Sequence, residues 1–166
     1  MRLVYETMSE IEKADWYFIV PATTVWVLSI LVTAWDFLQL QGMVYHFGVV
    51  NVVGLALFWA GVSLRAIGKR TLAKSYSYVL RVSQKKALVK HGVYRFVRHP
   101  IYLAAILYTT GTPLIFSSVY GFLVILGFIP CILYRIDIEE KMLIQEFGKK
   151  YLEYKKNTKK LIPYVY

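Results

Sequence analysis

Four stretches of this chain carry no formally charged side chain: Trp16 to Trp35, Met43 to Leu64, Ile101 to Phe116 and Val119 to Tyr134. No feature constrains the fold more. A peptide backbone in hydrocarbon must satisfy every N–H and C=O internally, so an apolar run of about 20 residues reads as a membrane helix. The runs account for a composition that is 57% hydrophobic and 16% aromatic, too apolar for an ordinary soluble domain of 166 residues. The reading is therefore an all-α, integral-membrane bundle of four transmembrane helices, forming a single domain over residues 1–166. No internal repeat or low-complexity linker divides it.

Individual runs have distinct character. The first has Trp16, Tyr17, Trp26 and Trp35 as interface anchors, with Pro21 expected in its first helical turn. Four acids (Glu6, Glu10, Glu12 and Asp15) precede it, an order that does not predict a cleavable signal peptide. Gly48, Gly54 and Gly61 in the second run would let a neighbouring helix approach closely. His46 and Asn51 there are expected to hydrogen-bond within the bundle. The third and fourth runs are short for a full crossing. With only Ser117 and Ser118 between them, they read as a tight helical hairpin.

Charge sets the orientation. The chain has a formal net charge of +10. From Arg65 to Arg98 it is rich in Lys and Arg and has no Asp or Glu. By the positive-inside rule this loop faces the cytoplasm, and four spans place both termini on that side. The tail agrees, with Lys149, Lys150, Lys155, Lys156, Lys159 and Lys160. From Asp137 onward Ile138, Met142, Leu143, Phe147 and Tyr151 recur near helical spacing, which predicts an amphipathic C-terminal helix, bent at Gly148.

Several chemistries are missing from the pattern. There is no Gly-rich phosphate loop, no strand–GxGxxG–helix unit and no nucleophile elbow. The three histidines lack metal-ligand spacing, so no metal site is expected. Cys131 reads as a small core residue and implies no disulfide. The basic loop is aromatic, but nothing resembles a nucleic-acid module, and the anionic partner expected is the bilayer.

Two clusters remain, both at the cytoplasmic face. Arg98, His99 and Pro100 open the third span, where proline suits a first helical turn. Basic anchors at a membrane entry are the plain alternative. Arg135 and Glu139, at i and i+4, share one helix face at the end of the fourth span. A surface ion pair of a few tenths of a kcal/mol is the alternative there. The hairpin should bring the clusters together, where a guanidinium can clamp a carboxylate or phosphate and a carboxylate can receive an ammonium.

The stretch "KALVKHGVYRFVRHPIY" from Lys86 to Tyr102, then "RIDIEEKMLIQEFGKKYLEY" from Arg135 to Tyr154, then "LIP" at Leu161, resemble the isoprenylcysteine carboxyl methyltransferase and phospholipid methyltransferase family. The motif-bearing region is 86–163. The resemblance implies an integral-membrane enzyme that uses S-adenosylmethionine to methylate a lipidic or membrane-associated acceptor, a prenylcysteine carboxylate being the family's namesake acceptor. It implies cofactor contacts from Lys86, Ala87, Leu88, Val89, Tyr94, His99, Pro100, Ile101, Tyr102 and Glu139. Arg135 would face the substrate, and Arg135 and Glu139 together would form the catalytic pair. The family often carries His where this chain has Lys86, and a Gln upstream that Gln84 does not clearly match. Arg98 and His99 are then the rim of a cofactor pocket rather than lipid anchors. Two other readings fit parts of the pattern. One is a nicotinamide-dependent membrane reductase of the sterol-reductase type, though such chains are generally longer. The other is a non-enzymatic membrane scaffold, which leaves the paired motifs as coincidence.

Overall fold

A computed structural model describes residues 2–41, 44–45, 47–76 and 88–162, with side chains described from Trp16 onward and not for 73–76. Its helices are α1 (Arg2–Trp35), α2 (Val49–Tyr76), α3 (Pro100–Ile115), α4 (Val119–Leu126), α5 (Phe128–Phe147) and α6 (Lys149–Asn157). A π-helical turn, Asp36–Leu40, extends α1, and a 3-10 turn, Gly92–Arg95, precedes α3. Among the described residues the only β-type pairing is an isolated parallel bridge between Val97 and Lys159.

Three stretches are long and apolar enough to cross a membrane: Trp16–Leu40, Val49–Leu72 and Val119–Phe147. Pro100–Ile115 is apolar but shorter, about 24 Å at 1.5 Å per residue. Large apolar side chains lie exposed along these helices, among them Trp16, Trp26, Leu31, Trp59 and Leu123. In water that surface would be a liability; in hydrocarbon it is the expected exterior.

Three boundaries differ from the sequence reading. First, α1 is already helical at Arg2, so Pro21 lies inside the helix, on its exposed face, rather than in a first turn. Second, α2 starts at Val49 rather than Met43, because Asn51 closes the entry: the Gly48 N–H donates to Asn51 Oδ1 at 2.6 Å. At its other end α2 runs on past Arg65, Lys69 and Arg70, whose long side chains can carry charge to the interface. Third, the amphipathic stretch is no separate helix. It continues α5 straight out of the apolar run and ends at Gly148, whose φ of 53° and ψ of −127° turn the chain into α6.

The α2–α3 pair depends on its glycines. A Cβ on Gly54 would lie 2.6 Å from the Ile115 backbone N, and one on Gly61 2.6 Å from the Tyr108 N. From the other side, a Cβ on Gly111 would lie 2.7 Å from the Gly54 carbonyl oxygen. The helices meet backbone to backbone, as small residues allow in lipid. At the hairpin end, Gln41, Tyr45 and Asn51 donate to the carbonyls of Ile115 and Phe116, which α3 leaves without intrahelical partners. Asn51 thus hydrogen-bonds within the bundle as expected, while His46 lies outside the described residues.

Opposite that end, Ala22, Ala105, Ile125, Phe128, Ile132, Ile136 and Leu161 form a buried core. Cys131 is half-buried against it.

Candidate functional site

His99 caps α3 and Pro100 occupies its first turn, where the missing N–H breaks no helical bond. The chain beside them is tied to the C-terminus. The Arg98 N–H donates to the Lys159 carbonyl at 2.8 Å and the His99 N–H to the Lys160 carbonyl at 3.2 Å. The Tyr154 hydroxyl donates to the Tyr94 carbonyl at 2.6 Å, and Lys90 Nζ to the Lys150 carbonyl at 3.3 Å. These bonds hold α6 and the 158–161 segment against the residues that enter α3.

Arg98 is a buried clamp. Its Nε donates to Glu140 Oε1 at 2.8 Å, and its Nη1 donates to the carbonyls of Thr158 and of Lys155, the latter at 3.2 Å. Glu140 also accepts from Lys155 Nζ at 2.7 Å on its other oxygen. His99 Nε2 lies 3.4 Å from Glu140 Oε1, outside hydrogen-bond geometry. One guanidinium therefore joins α5, α6 and the C-terminal segment to the mouth of α3. A guanidinium is suited to this because its planar fork presents several fixed donors.

Above this clamp lies a cavity of about 490 Å³. The expected residues Leu88, Val89, Tyr94, His99, Pro100, Ile101, Tyr102, Arg135 and Glu139 all line it. Lys86 and Ala87 fall outside the described residues. Arg98, expected at the rim, lines it as well, and the wall also includes residues the sequence reading did not single out for the site, notably Met142, Glu146, Tyr151 and Tyr154. Arg135 and Glu139 sit half-buried one turn apart on α5, and the Tyr102 side chain interacts with both. The Arg135 guanidinium also lies 5.7 Å from the Phe18 ring centre on α1. It thus stands between the cavity and the apolar helices.

Burial pushes the hydroxyls of Tyr94 and Tyr151 above the ordinary tyrosine range and raises Tyr154 to about 12. All three are neutral donors at physiological pH. No group of three or more His, Cys, Asp or Glu that could hold a metal occurs among the described residues.

A family model described as phospholipid methyltransferase matches residues 49–150, most of the chain. The chain belongs to the phospholipid methyltransferase family. Within it, protein-S-isoprenylcysteine O-methyltransferase A of Arabidopsis thaliana is 30% identical over 145 residues, covering 84% of this chain and 72% of that one. The protein-S-isoprenylcysteine O-methyltransferase of Saccharomyces cerevisiae is 32% identical over 145 residues, covering 84% of this chain and 60% of the yeast protein. The fold is similar to that of a solved eukaryotic intramembrane Ras methyltransferase, isoprenylcysteine carboxyl methyltransferase, with a TM-score of 0.69 and 25% identity. That match covers 86% of this chain and 52% of the solved one. The chain spans between about half and three quarters of the length of these relatives. Its family is one of methyltransferases, which implies a methyl donor, and its own helices are long enough to cross a membrane.

Among the residues the sequence reading missed is also Glu140, the neighbour of Glu139, which anchors the clamp. Successive helical residues point about 100° apart, so one acid faces the cavity and the other the clamp. A signal was available. Phe128, Ile132, Ile136 and Glu140 are the buried residues of α5, four apart. An acid on that stripe requires a cationic partner.

Proposed function

We propose that the cavity binds S-adenosylmethionine and that the chain transfers its methyl group to the carboxylate of a lipidic acceptor of the prenylcysteine type. The observation that carries this reading is the convergence of Tyr94, His99 to Tyr102, Arg135 and Glu139 on one cavity beside membrane-length helices.

The cavity suits such a cofactor. Its volume of about 490 Å³ lies within the roughly 300–1,000 Å³ usual for small-molecule sites. Leu88, Val89, Ile101, Met142, Leu143 and Phe147 supply apolar wall. Glu139 offers a carboxylate for an ammonium. Among the described residues the buried Tyr151 hydroxyl has no hydrogen-bond partner, so a polar group is left for a ligand. When bound, S-adenosylmethionine supplies an electrophilic methyl on a sulfonium sulfur. An acceptor carboxylate attacks with its own lone pair, so the chain need not remove a proton. Its work is to align the two reactants and keep water out, which is where most of the acceleration of such a transfer can come from. Arg135 would orient the carboxylate through its planar fork. Its place against Phe18 of α1 supports entry of the acceptor from the bilayer side.

We further infer four crossings, with α3 spanning a locally thinned bilayer and the cavity facing the cytoplasm. The acid-free loop and basic tail support that orientation, as does the Lys90–Lys150 contact, which puts both on one side. Cysteine-accessibility labelling at positions 90 and 155 should report the same side; opposite sides would overturn the topology.

The decisive experiment is calorimetry on the detergent-solubilised chain with S-adenosylmethionine, its demethylated product S-adenosylhomocysteine, and NADPH. The two adenosyl ligands should bind and NADPH should not. Tight NADPH binding would favour a reductase, and no binding of any of the three a scaffold. Transfer of labelled methyl should then favour N-acetyl-S-farnesylcysteine. Preference for phosphatidylethanolamine would replace the carboxylate with an amine acceptor.

A further inference from the structure

Tyr151 stands in the first turn of α6, only 1% exposed, and lines the cavity. Its hydroxyl is buried and has no hydrogen-bond partner among the described residues. The neighbouring tyrosine of the same wall is different. Tyr154 donates its hydroxyl to the Tyr94 carbonyl at 2.6 Å, and the two rings meet edge to face at 5.9 Å. One tyrosine hydroxyl of the pair is therefore used by the fold and the other is not.

A buried hydroxyl without a partner costs stability, and phenylalanine would fill the same volume without that cost. A tyrosine here makes physical sense if the partner arrives with a ligand. The surroundings favour a donor. Burial opposes ionisation of the phenol, and the charge of Glu140 acts in the same direction. A neutral phenol in this position can donate one hydrogen bond to an oxygen.

We propose that Tyr151 is a cofactor-binding residue, its hydroxyl donating to a ribose or carboxylate oxygen of S-adenosylmethionine in the cavity. The inference rests on the cofactor reading above and extends it to a residue of α6. It also gives the bonds that hold α6 down a purpose, because they fix the depth at which that hydroxyl sits.

The test is Tyr151→Phe in the full-length protein in detergent, with two measurements. One is the melting temperature without ligand; the other is the affinity for S-adenosylhomocysteine by calorimetry. The melting temperature should hold or rise, because an unpaired buried hydroxyl is removed. Affinity should fall by about fivefold to tenfold, the loss of one neutral hydrogen bond. Tyr154→Phe serves as the contrast and should melt earlier, having lost a bond of the fold. Wild-type affinity in Tyr151→Phe would overturn the inference alone. So would a lower ligand-free melting temperature, because it would show that the hydroxyl serves the fold. Absence of binding to the wild-type protein would overturn the cofactor reading and this inference with it.

Discussion

Arg98 Nε and Glu140 Oε1 lie 2.8 Å apart, and both side chains are almost wholly buried. The pair joins the entry of α3 to the middle of α5, and through Arg98 Nη1 it also secures Thr158. Removing one member of a buried pair leaves the other charge uncompensated, at about 3–5 kcal/mol. Glu140→Ala should therefore lower thermal stability strongly, and Glu140→Gln less. Melting of the purified variants in detergent checks this. A Glu140→Ala protein that melts with the wild type would mean the clamp holds nothing.

The adjacent acid should behave in the opposite way. Glu139 is half-buried on the cavity wall, so Glu139→Gln should leave melting nearly unchanged and weaken S-adenosylmethionine binding. A charge-assisted hydrogen bond is worth about 1.5–3 kcal/mol, which corresponds to roughly tenfold or more in affinity. Calorimetry beside melting curves for the Glu139 and Glu140 variants separates the roles. Equal effects on both readouts in both variants would remove the distinction.

The contrast marks what could be read in the sequence. Uncharged runs located the membrane-length helices, since hydrocarbon tolerates few alternatives. Arg135 and Glu139 could be paired because i, i+4 spacing fixes a shared face. Glu140 was harder, because its role depends on which face of α5 turns inward, and an acid beside another acid resembles a solvated stretch. Its spacing from Ile132 and Ile136 held that information. The start of α2 was not legible from hydropathy. Met43 to Gly48 is apolar enough to extend the run, but the Asn51 side chain takes the Gly48 N–H and sets the entry later. Tyr151 gave no sign either, since a tyrosine at helical spacing reads as core whether or not its hydroxyl is paired.

Gly54 and Gly61 give a prediction with a clear sign. Alanine is the better helix former by about 1 kcal/mol. Here its methyl would meet the backbone of α3 at 2.6 Å in either case, and backbone cannot swing aside. Overpacking costs about 1–3 kcal/mol, so Gly54→Ala and Gly61→Ala should both destabilise. Gly48→Ala is the control, because its Cβ would meet only Asn51 Oδ1, at 3.8 Å. Melting temperatures that rise in the first two variants would show that propensity outweighs contact.

Tyr154 sets a pH limit. Its hydroxyl can donate to the Tyr94 carbonyl only while protonated, and burial raises it from 10.0 to about 12. The folded value lies above the unfolded one. The contribution is therefore complete below about pH 10 and lost as pH rises through about 12. The difference in melting temperature between wild type and Tyr154→Phe should be constant from neutral pH to about 10 and close above it. A difference that already shrinks near neutral pH would contradict the assignment.

Arg135 carries the most consequential prediction, because two roles give different outcomes for one conservative change. It sits one helical turn before Glu139, with its guanidinium near the Phe18 ring and its side chain in the cavity wall. If it only balances charge on α5, lysine should serve nearly as well, since a half-exposed pair contributes little. If it holds an acceptor carboxylate by two parallel hydrogen bonds, lysine cannot reproduce the planar fork. Arg135→Lys should then keep near-normal affinity for S-adenosylmethionine while methyl transfer falls. A lost charge-assisted bond of about 1.5–3 kcal/mol in the transition state corresponds to roughly tenfold or more in rate. Single-turnover transfer of labelled methyl to N-acetyl-S-farnesylcysteine, with cofactor binding measured in the same preparation, separates the outcomes. Retained turnover would exclude Arg135 from acceptor binding, and lost cofactor affinity would move it to the cofactor side of the cavity. Reduced transfer with intact cofactor binding would leave orientation of the acceptor as its role.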